Sequence, residues 1–224
     1  MDLTELLERA GVVPVIVIND ASKAVPLARA LVAGGLPVLE VTFRTAAAAA
    51  AIAAIRAEVP EATVGAGTLL TRKQVSAAYE AGAAFGVAPG FDPAIVNCAQ
   101  AAGLPMIPGI ATASELSQAL TAGLRIVKFF PAEANGGVKM LKNLLGAFRF
   151  SGVKFMPTGG INPDNLRDYL SVPEVAACGG TWIVPGNALD SNDLDAIRKL
   201  AAAASKAVRE VRPGTAAADK NAAR

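Results

Sequence analysis

The sequence predicts an α/β fold, a closed (β/α)8 TIM barrel, and three observations carry that reading. Eight short apolar runs alternate with helical patterns along 224 residues. Such alternation implies a parallel sheet, and eight units in a chain of this length fit a compact barrel. No linker divides the chain, so residues 1–212 read as one domain, and the polar, alanine-rich stretch 213–224 is expected to be flexible. The alternative is an open doubly wound sheet, whose glycine fingerprint is not met. GAGTLL at 65–70 supplies two glycines and then Thr68, Leu69 and Leu70 where a third is needed.

Taken in order, the chain opens on MDLTELLERA, which is acidic and amphipathic rather than a basic leader before an apolar core. The candidate strands are VVPVIVIN (12–19), PVLEVTF (37–43), ATVGAGT (62–68), AAFGVAP (83–89), PMIPGI (105–110), RIVKFFP (125–131), VKFMPT (153–158) and AACGGTWIV (176–184). Between them lie ASKAVPLARALVAGG, TRKQVSAAYEAG, DPAIVNCAQAAG and TASELSQALTAG. Each opens near Ser, Thr or Asp, whose side chain caps a helix start, and closes on Gly. The recurring Ala-Gly ending at 33–34, 81–82, 102–103 and 122–123 is a weak strand-helix repeat. The alanine-rich segment 45–60 favours helix and leaves few side chains to mark a surface.

Composition removes several functions. With 53% hydrophobic residues the chain can build a sizeable core, and its mean hydropathy of +0.41 is far from disorder. Lys and Arg number 21 against 19 Asp and Glu, too balanced for nucleic acid or an anionic membrane as main partner. The longest apolar run, 46–55, is too short to span a bilayer, so a cytoplasmic protein is expected. Cys98 and Cys178 form no close-spaced pattern, which points away from disulfide frameworks and cysteine metal sites. There are 0 histidines. Histidine-based triads, His zinc ligands and His general bases are therefore excluded, and proton transfer falls to carboxylates, lysines, tyrosines or water.

Barrel enzymes work at the C-terminal ends of their strands. In PVLEVTFRT the period of two places Val38, Glu40, Thr42 and Arg44 on one face. Thr68 ends GAGT, and Lys128 lies late in an otherwise apolar strand, before Phe129, Phe130 and Pro131. A lysine in a water-poor pocket beside another cation holds its proton less tightly and becomes an amine nucleophile. That amine condenses with a ketone to an iminium, an electron sink for making or breaking the adjacent carbon-carbon bond. Glu40, a carboxylate within a candidate strand, would move the protons. Arg44 would hold a substrate carboxylate in a fork, with Thr68 adding a hydroxyl. GGIN at 159–162 and GGTW at 179–182 follow the last two strands, where barrels bind phosphate through backbone N–H groups. Together these features describe a Schiff-base lyase for a phosphorylated 2-oxo acid.

Taken singly, each feature has a plainer reading. Lys128 alone is equally consistent with a snorkelling side chain, and Lys154 in VKFMPT is a second candidate amine or the neighbouring cation. Glu40 and Arg44 are equally consistent with a structural ion pair, and the glycine pairs with simple turns. A phosphate-binding barrel with an inert lysine, and an assembling subunit with alanine-rich packing helices, are the readings outside enzyme chemistry.

The motifs VVPVIVI, AVPLARALVAGG, VLEVTFRT, EVPEATVGAGT, IPGIATASEL, KFFPAEANGGVK, PTGGIN and GGTWIVP, spread from about Val12 to Pro185, resemble the 2-keto-3-deoxy-6-phosphogluconate (KDPG) aldolase family, including its bifunctional 4-hydroxy-2-oxoglutarate (KHG) aldolase members. The resemblance implies a class I aldolase on a (β/α)8 barrel, a homotrimer, without metal or cofactor. It implies that Lys128 forms the Schiff base, that Glu40 is the general acid and base, and that Arg44 and Thr68 contact the pyruvoyl group. By the same resemblance Pro89 and Phe130 line the pocket, while Gly159, Gly160, Gly180 and Thr181 hold the phosphate. The expected reaction yields pyruvate and glyceraldehyde 3-phosphate, with KHG, or the galactonate epimer of KDPG, as alternative substrates. GGTW replaces the family's GGSW and keeps the hydroxyl; Phe43 replaces a common Leu at an outward position.

Overall fold

The computed structural model describes residues 2–213, so the stretch expected to be flexible lies outside the described residues apart from Pro213. The fold is α/β. Its strands are β1 (Val12–Ile16), β2 (Val38–Thr42), β3 (Thr63–Gly67), β4 (Gly86–Val87), β5 (Met106–Ile107), β6 (Gly109–Ile110), β7 (Ile126–Phe129), β8 (Lys154–Phe155) and β9 (Cys178–Gly180). All pair in parallel, in the orders β5-β4-β3-β2-β1-β9 and β6-β7-β8. Two isolated parallel bridges, Phe155 to Val175 and Thr158 to Gly179, lie between β8 and β9. The result is a curled parallel sheet.

The strand expected over 105–110 divides at Pro108. Before it, β5 pairs with β4; after it, β6 pairs with β7. Proline has no N–H to give the ladder, but its carbonyl still accepts from the Lys128 N–H at 2.8 Å. The change of partner therefore falls at the residue that lacks a donor.

The helices are α1 (Leu3–Ala10), α2 (Ala24–Ala33), α3 (Ala48–Glu58), α4 (Arg72–Glu80), α5 (Pro93–Ala102), α6 (Ala113–Thr121), α7 (Gly137–Phe148), α8 (Leu166–Leu170), α9 (Gly186–Asp190) and α10 (Leu194–Val211), and all but α1 lie outside the sheet. The starts of α4, α5 and α6 follow the sequence signals, whereas α2 begins after Lys23 without a side-chain cap. Thr71 with Gln74 and Thr112 with Glu115 form reciprocal capping boxes, and Asp92 caps α5 beside Pro93. Gly103 then ends α5 in the left-handed conformation at φ 73°, where a Cβ would be strained.

Two apolar layers follow from the period of two. Leu39, Val41, Val127 and Phe129 face outward into the helix layer, where Phe43 also packs half-buried. Val13, Val38, Phe85, Ile107, Ile126 and Met156 face inward and meet Leu7 and Ala10 of α1. The amphipathic N-terminal helix thus fills the space inside the curled sheet beside the starts of β1, β2 and β7. Arg212, just after α10, donates to the carbonyls of Leu170, Val175 and Ala176 at 2.6–3.1 Å, tying the end of that helix to the segment before β9.

Candidate active site

Along the inward face of β2 and β7, one step beyond the apolar layer, the side chains change character. Val38 is followed by Glu40 and then Thr42, and Ile126 by Lys128. Glu40 is 0% exposed and Lys128 5%, and the lysine Nζ lies 3.5 Å from the Glu40 Oε1. Neither carboxylate oxygen has a hydrogen-bond partner. The two charges are therefore close but not aligned, which leaves the buried carboxylate free to hydrogen-bond a substrate. Phe130 places its ring centroid 5.1 Å from the same Nζ, within reach of a cation–π contact.

Space for the carboxylate comes from the neighbouring strand. An ideal Cβ at Gly67 would lie 2.1 Å from Glu40 Oε1, so only glycine at that position of β3 leaves the carboxylate where it is. Next along the chain, Thr68 sits at φ 57°, a left-handed backbone that costs a β-branched residue about 1–3 kcal/mol. It is followed by the Leu69 N–H donating to the Val87 carbonyl at 3.1 Å.

Glu40, Lys128, Arg44, Thr68, Pro89 and Phe130 line one cavity of about 140 Å³. Its rim continues through Gly159, Gly160 and Thr181, all expected from the sequence. This is below the roughly 300–1,000 Å³ of drug-sized sites and suits a small acid. Arg44 is exposed as a residue yet reaches the cavity, at its mouth. Gly180 is not among the lining residues; Gly179 takes its place, and Trp182 fills the side of Gly180 where a Cβ would stand. Val15, Thr42, Thr158 and Ile161 also reach the cavity. Thr158 carried a legible signal, a hydroxyl residue at a strand end before two glycines. Val15 and Ile161 carried none.

Two expectations are corrected. Lys154 is not at the cavity: it pairs with Glu8 of α1 at 2.7 Å and donates to the Pro173 carbonyl at 3.1 Å, on the α1 side of the sheet. It does not line the cavity that holds Lys128. Glu40 does not pair with Arg44; among the described residues its ion-pair partner is Lys128. The charge beside Lys128 is thus a carboxylate rather than a second cation.

Among the described residues no group of three or more His, Cys, Asp or Glu is placed to hold a metal ion, and no helix is long and apolar enough to cross a membrane. A curled parallel α/β sheet thus buries the Lys128 amine against the Glu40 carboxylate in one small cavity. Comparison with known proteins gives the family. The family model for KDPG and KHG aldolase matches residues 3–200, and the chain belongs to that family. It is 53% identical over 196 residues to the KHG/KDPG aldolase of Escherichia coli (strain K12), covering 88% of this chain and 91% of that one. It is similar to the crystal structure of the KDPG aldolase from Legionella pneumophila with pyruvate captured at low pH as a covalent carbinolamine intermediate, at 43% identity and TM-score 0.86 over 91% of this chain and 98% of that one. It is also similar to the KDPG aldolase of Zymomonas mobilis ZM4 with 3-phosphoglycerate, at 44% identity and TM-score 0.84 over 91% of this chain and 95% of that one.

Proposed function

We propose that this chain cleaves 2-dehydro-3-deoxy-6-phosphogluconate to pyruvate and glyceraldehyde 3-phosphate through a Schiff base on Lys128. The observation that carries the reading is the buried Lys128 amine 3.5 Å from a Glu40 carboxylate whose oxygens have no hydrogen-bond partner. Glu40 takes the proton from the Lys128 ammonium, and the neutral amine adds to the substrate C2 carbonyl to give a carbinolamine. Glu40 returns a proton to the departing hydroxyl, water leaves, and a protonated imine remains. Glu40, directly or through water, then removes the C4 hydroxyl proton; the C3–C4 bond breaks, its electrons pass into the iminium, and the aldehyde departs. Protonation of the enamine at C3 and hydrolysis of the imine release pyruvate and free Lys128.

Arg44 and Thr68 hold the oxo acid's carboxylate at the mouth, and Pro89 and Phe130 wall the pyruvoyl methylene. The phosphate lies along Gly159, Gly160 and Thr181, with Gly180 behind Gly179. The covalent pyruvate of the Legionella relative supports the first part, and the 3-phosphoglycerate of the Zymomonas relative supports a phosphorylated partner. The name of the E. coli relative supports KHG, cleaved to pyruvate and glyoxylate, as a second substrate. The same reading takes residues 1–212 as one domain. It also closes the sheet into an eight-stranded barrel, supported by the bridges between β8 and β9 and the partner change at Pro108. A homotrimer is carried on the family resemblance, and mass in solution tests it.

Incubation with pyruvate and sodium borohydride, followed by peptide mass mapping, tests the chemistry. A reduced pyruvyl group on Lys128, absent together with turnover in Lys128→Ala, is the expected result. An adduct elsewhere, or full activity in Lys128→Ala, would overturn it.

A further inference from the structure

The rim of the cavity at residues 159–161 is held by side chains that the chemistry above does not use. The Gly159 carbonyl accepts from the Glu133 N–H at 3.1 Å. The Gly160 carbonyl accepts from Asn165 Nδ2 at 3.0 Å and from Asn162 Nδ2 at 3.4 Å. In a trans peptide the C=O and the following N–H point in opposite directions. Tying the Gly159 carbonyl to Glu133 therefore turns the Gly160 N–H away from the segment that precedes α7. Tying the Gly160 carbonyl to Asn165 turns the Ile161 N–H away from α8. Among the described residues neither of these amides donates to a protein acceptor, and both residues line the cavity. With Gly159 at φ 96° and Gly160 at φ 80°, successive free amides in a turn form a concavity suited to an anion.

The two ties are themselves braced. Asn165 Oδ1 accepts from the Asn162 N–H at 2.9 Å, so one side chain holds both ends of the turn. Glu133 packs its Cβ and Cγ where a side chain at Gly160 would stand, 2.6 Å from an ideal Cβ, and its carboxylate accepts from the Tyr169 hydroxyl. Tyr169 is 0% exposed. Burial and the Glu133 carboxylate raise its phenol above the ordinary range, so it remains a donor at any working pH.

We propose that Asn165 and Tyr169 are positioning residues for the substrate's phosphate monoester: Asn165 anchors the Gly160 carbonyl, and Tyr169 holds the carboxylate of Glu133, whose backbone N–H anchors the Gly159 carbonyl, so that the amides of Ile161 and Gly160 are pre-set and favour phosphorylated over unphosphorylated oxo acids. The inference rests on the reading that this rim takes the phosphate. Neither side chain touches substrate; each acts through the backbone.

The test compares kcat and KM on KDPG and on KHG, which carries no phosphate, for the parent enzyme, Asn165→Ala and Tyr169→Phe. Inhibition by inorganic phosphate and the thermal midpoint are measured alongside. In both variants kcat/KM on KDPG is expected to fall about 10–100-fold, mainly through KM, as when hydrogen bonds to a charged group are lost. Turnover of KHG and borohydride trapping of pyruvate should stay within about threefold, and phosphate should cease to compete. Equal losses on both substrates, or unchanged KDPG kinetics in a folded variant, would overturn the inference. A parent enzyme with no preference for KDPG and no inhibition by phosphate would overturn the underlying assignment of the rim as well, and the parent measurement alone shows it.

Discussion

Replacing Gly67 with alanine tests the placement of Glu40 without touching either charged group. An ideal Cβ there lies 2.1 Å from Glu40 Oε1 and 2.8 Å from its Cδ. Unstrained heavy atoms meet at about 3.5 Å, so the carboxylate would have to retreat by roughly 1.4 Å. Glu40 is fully buried, and Lys128 stands 3.5 Å from it, so no direction of retreat keeps the present geometry. A misplacement of about 1 Å in a catalytic group costs on the order of 100-fold, which is the expected loss of kcat for pyruvate release. Exchange of the pyruvate methyl protons should slow in parallel, because it needs the same proton transfer. Gly65→Ala is the control. Two residues earlier on the same strand, its Cβ would lie 2.3 Å from the ring of the fully buried Phe85, in the packing layer rather than the chemical one. It should lower stability by about 1–3 kcal/mol in thermal unfolding while leaving kcat near that of the parent. If Gly67→Ala folds and keeps kcat within about threefold of the parent, the position of Glu40 does not limit proton transfer and the assignment of that residue fails.

Leu7→Ala removes a fully buried side chain of α1 from the inner layer and should destabilise the fold by about 2–5 kcal/mol, with KM and kcat unchanged at temperatures where the variant is folded. A change in KM would show that α1 shapes the cavity as well as the core. Burial pushes the Cys178 thiol from an ordinary 9.0 up to about 12. Its contribution to stability is fully present below about pH 9; above that the unfolded chain gives up the proton while the native state keeps it, so stability should fall as pH rises. Urea midpoints measured across that window should decline, less steeply in Cys178→Ala, and a decline that is the same in both proteins would count against it. Native protein should show Cys98, half-exposed, reacting with a thiol reagent while Cys178 does not.

Much of this was legible in the residues. The period of two assigned Val38, Glu40 and Thr42 to one face, and the structure turns that face inward as a single column. Capping residues marked the starts of α4, α5 and α6 because a side-chain oxygen satisfying a free N–H is a local event, complete within three or four residues. Lys128 and Lys154, by contrast, looked alike: both sit in short apolar strands. Periodicity gives the face of a strand but not the depth of a residue along it. The register that sets Lys154 beside Ile126, and the packing of α1 that brings Glu8 to it, separate the two. The division of the strand at Pro108 was hidden for a related reason, since a proline without a donor can end a strand or change its partner, and the chain cannot say which.

By itself the sequence determined the alternation of strands and helices, the positions of the helix caps, the inward column on β2 and the candidacy of Lys128, all of which depend on neighbours a few residues apart. Tertiary structure decided the charge beside Lys128, the need for glycine at 67, the exchange of Gly179 for Gly180 at the rim, and the bracing of residues 159–161 by Asn165, Glu133 and Tyr169. Glu40 lies far from Lys128 in the chain, as Glu133 does from Tyr169. Such pairs meet only when the sheet curls and its strand ends converge, and that convergence is a property of the whole sheet rather than of any one segment.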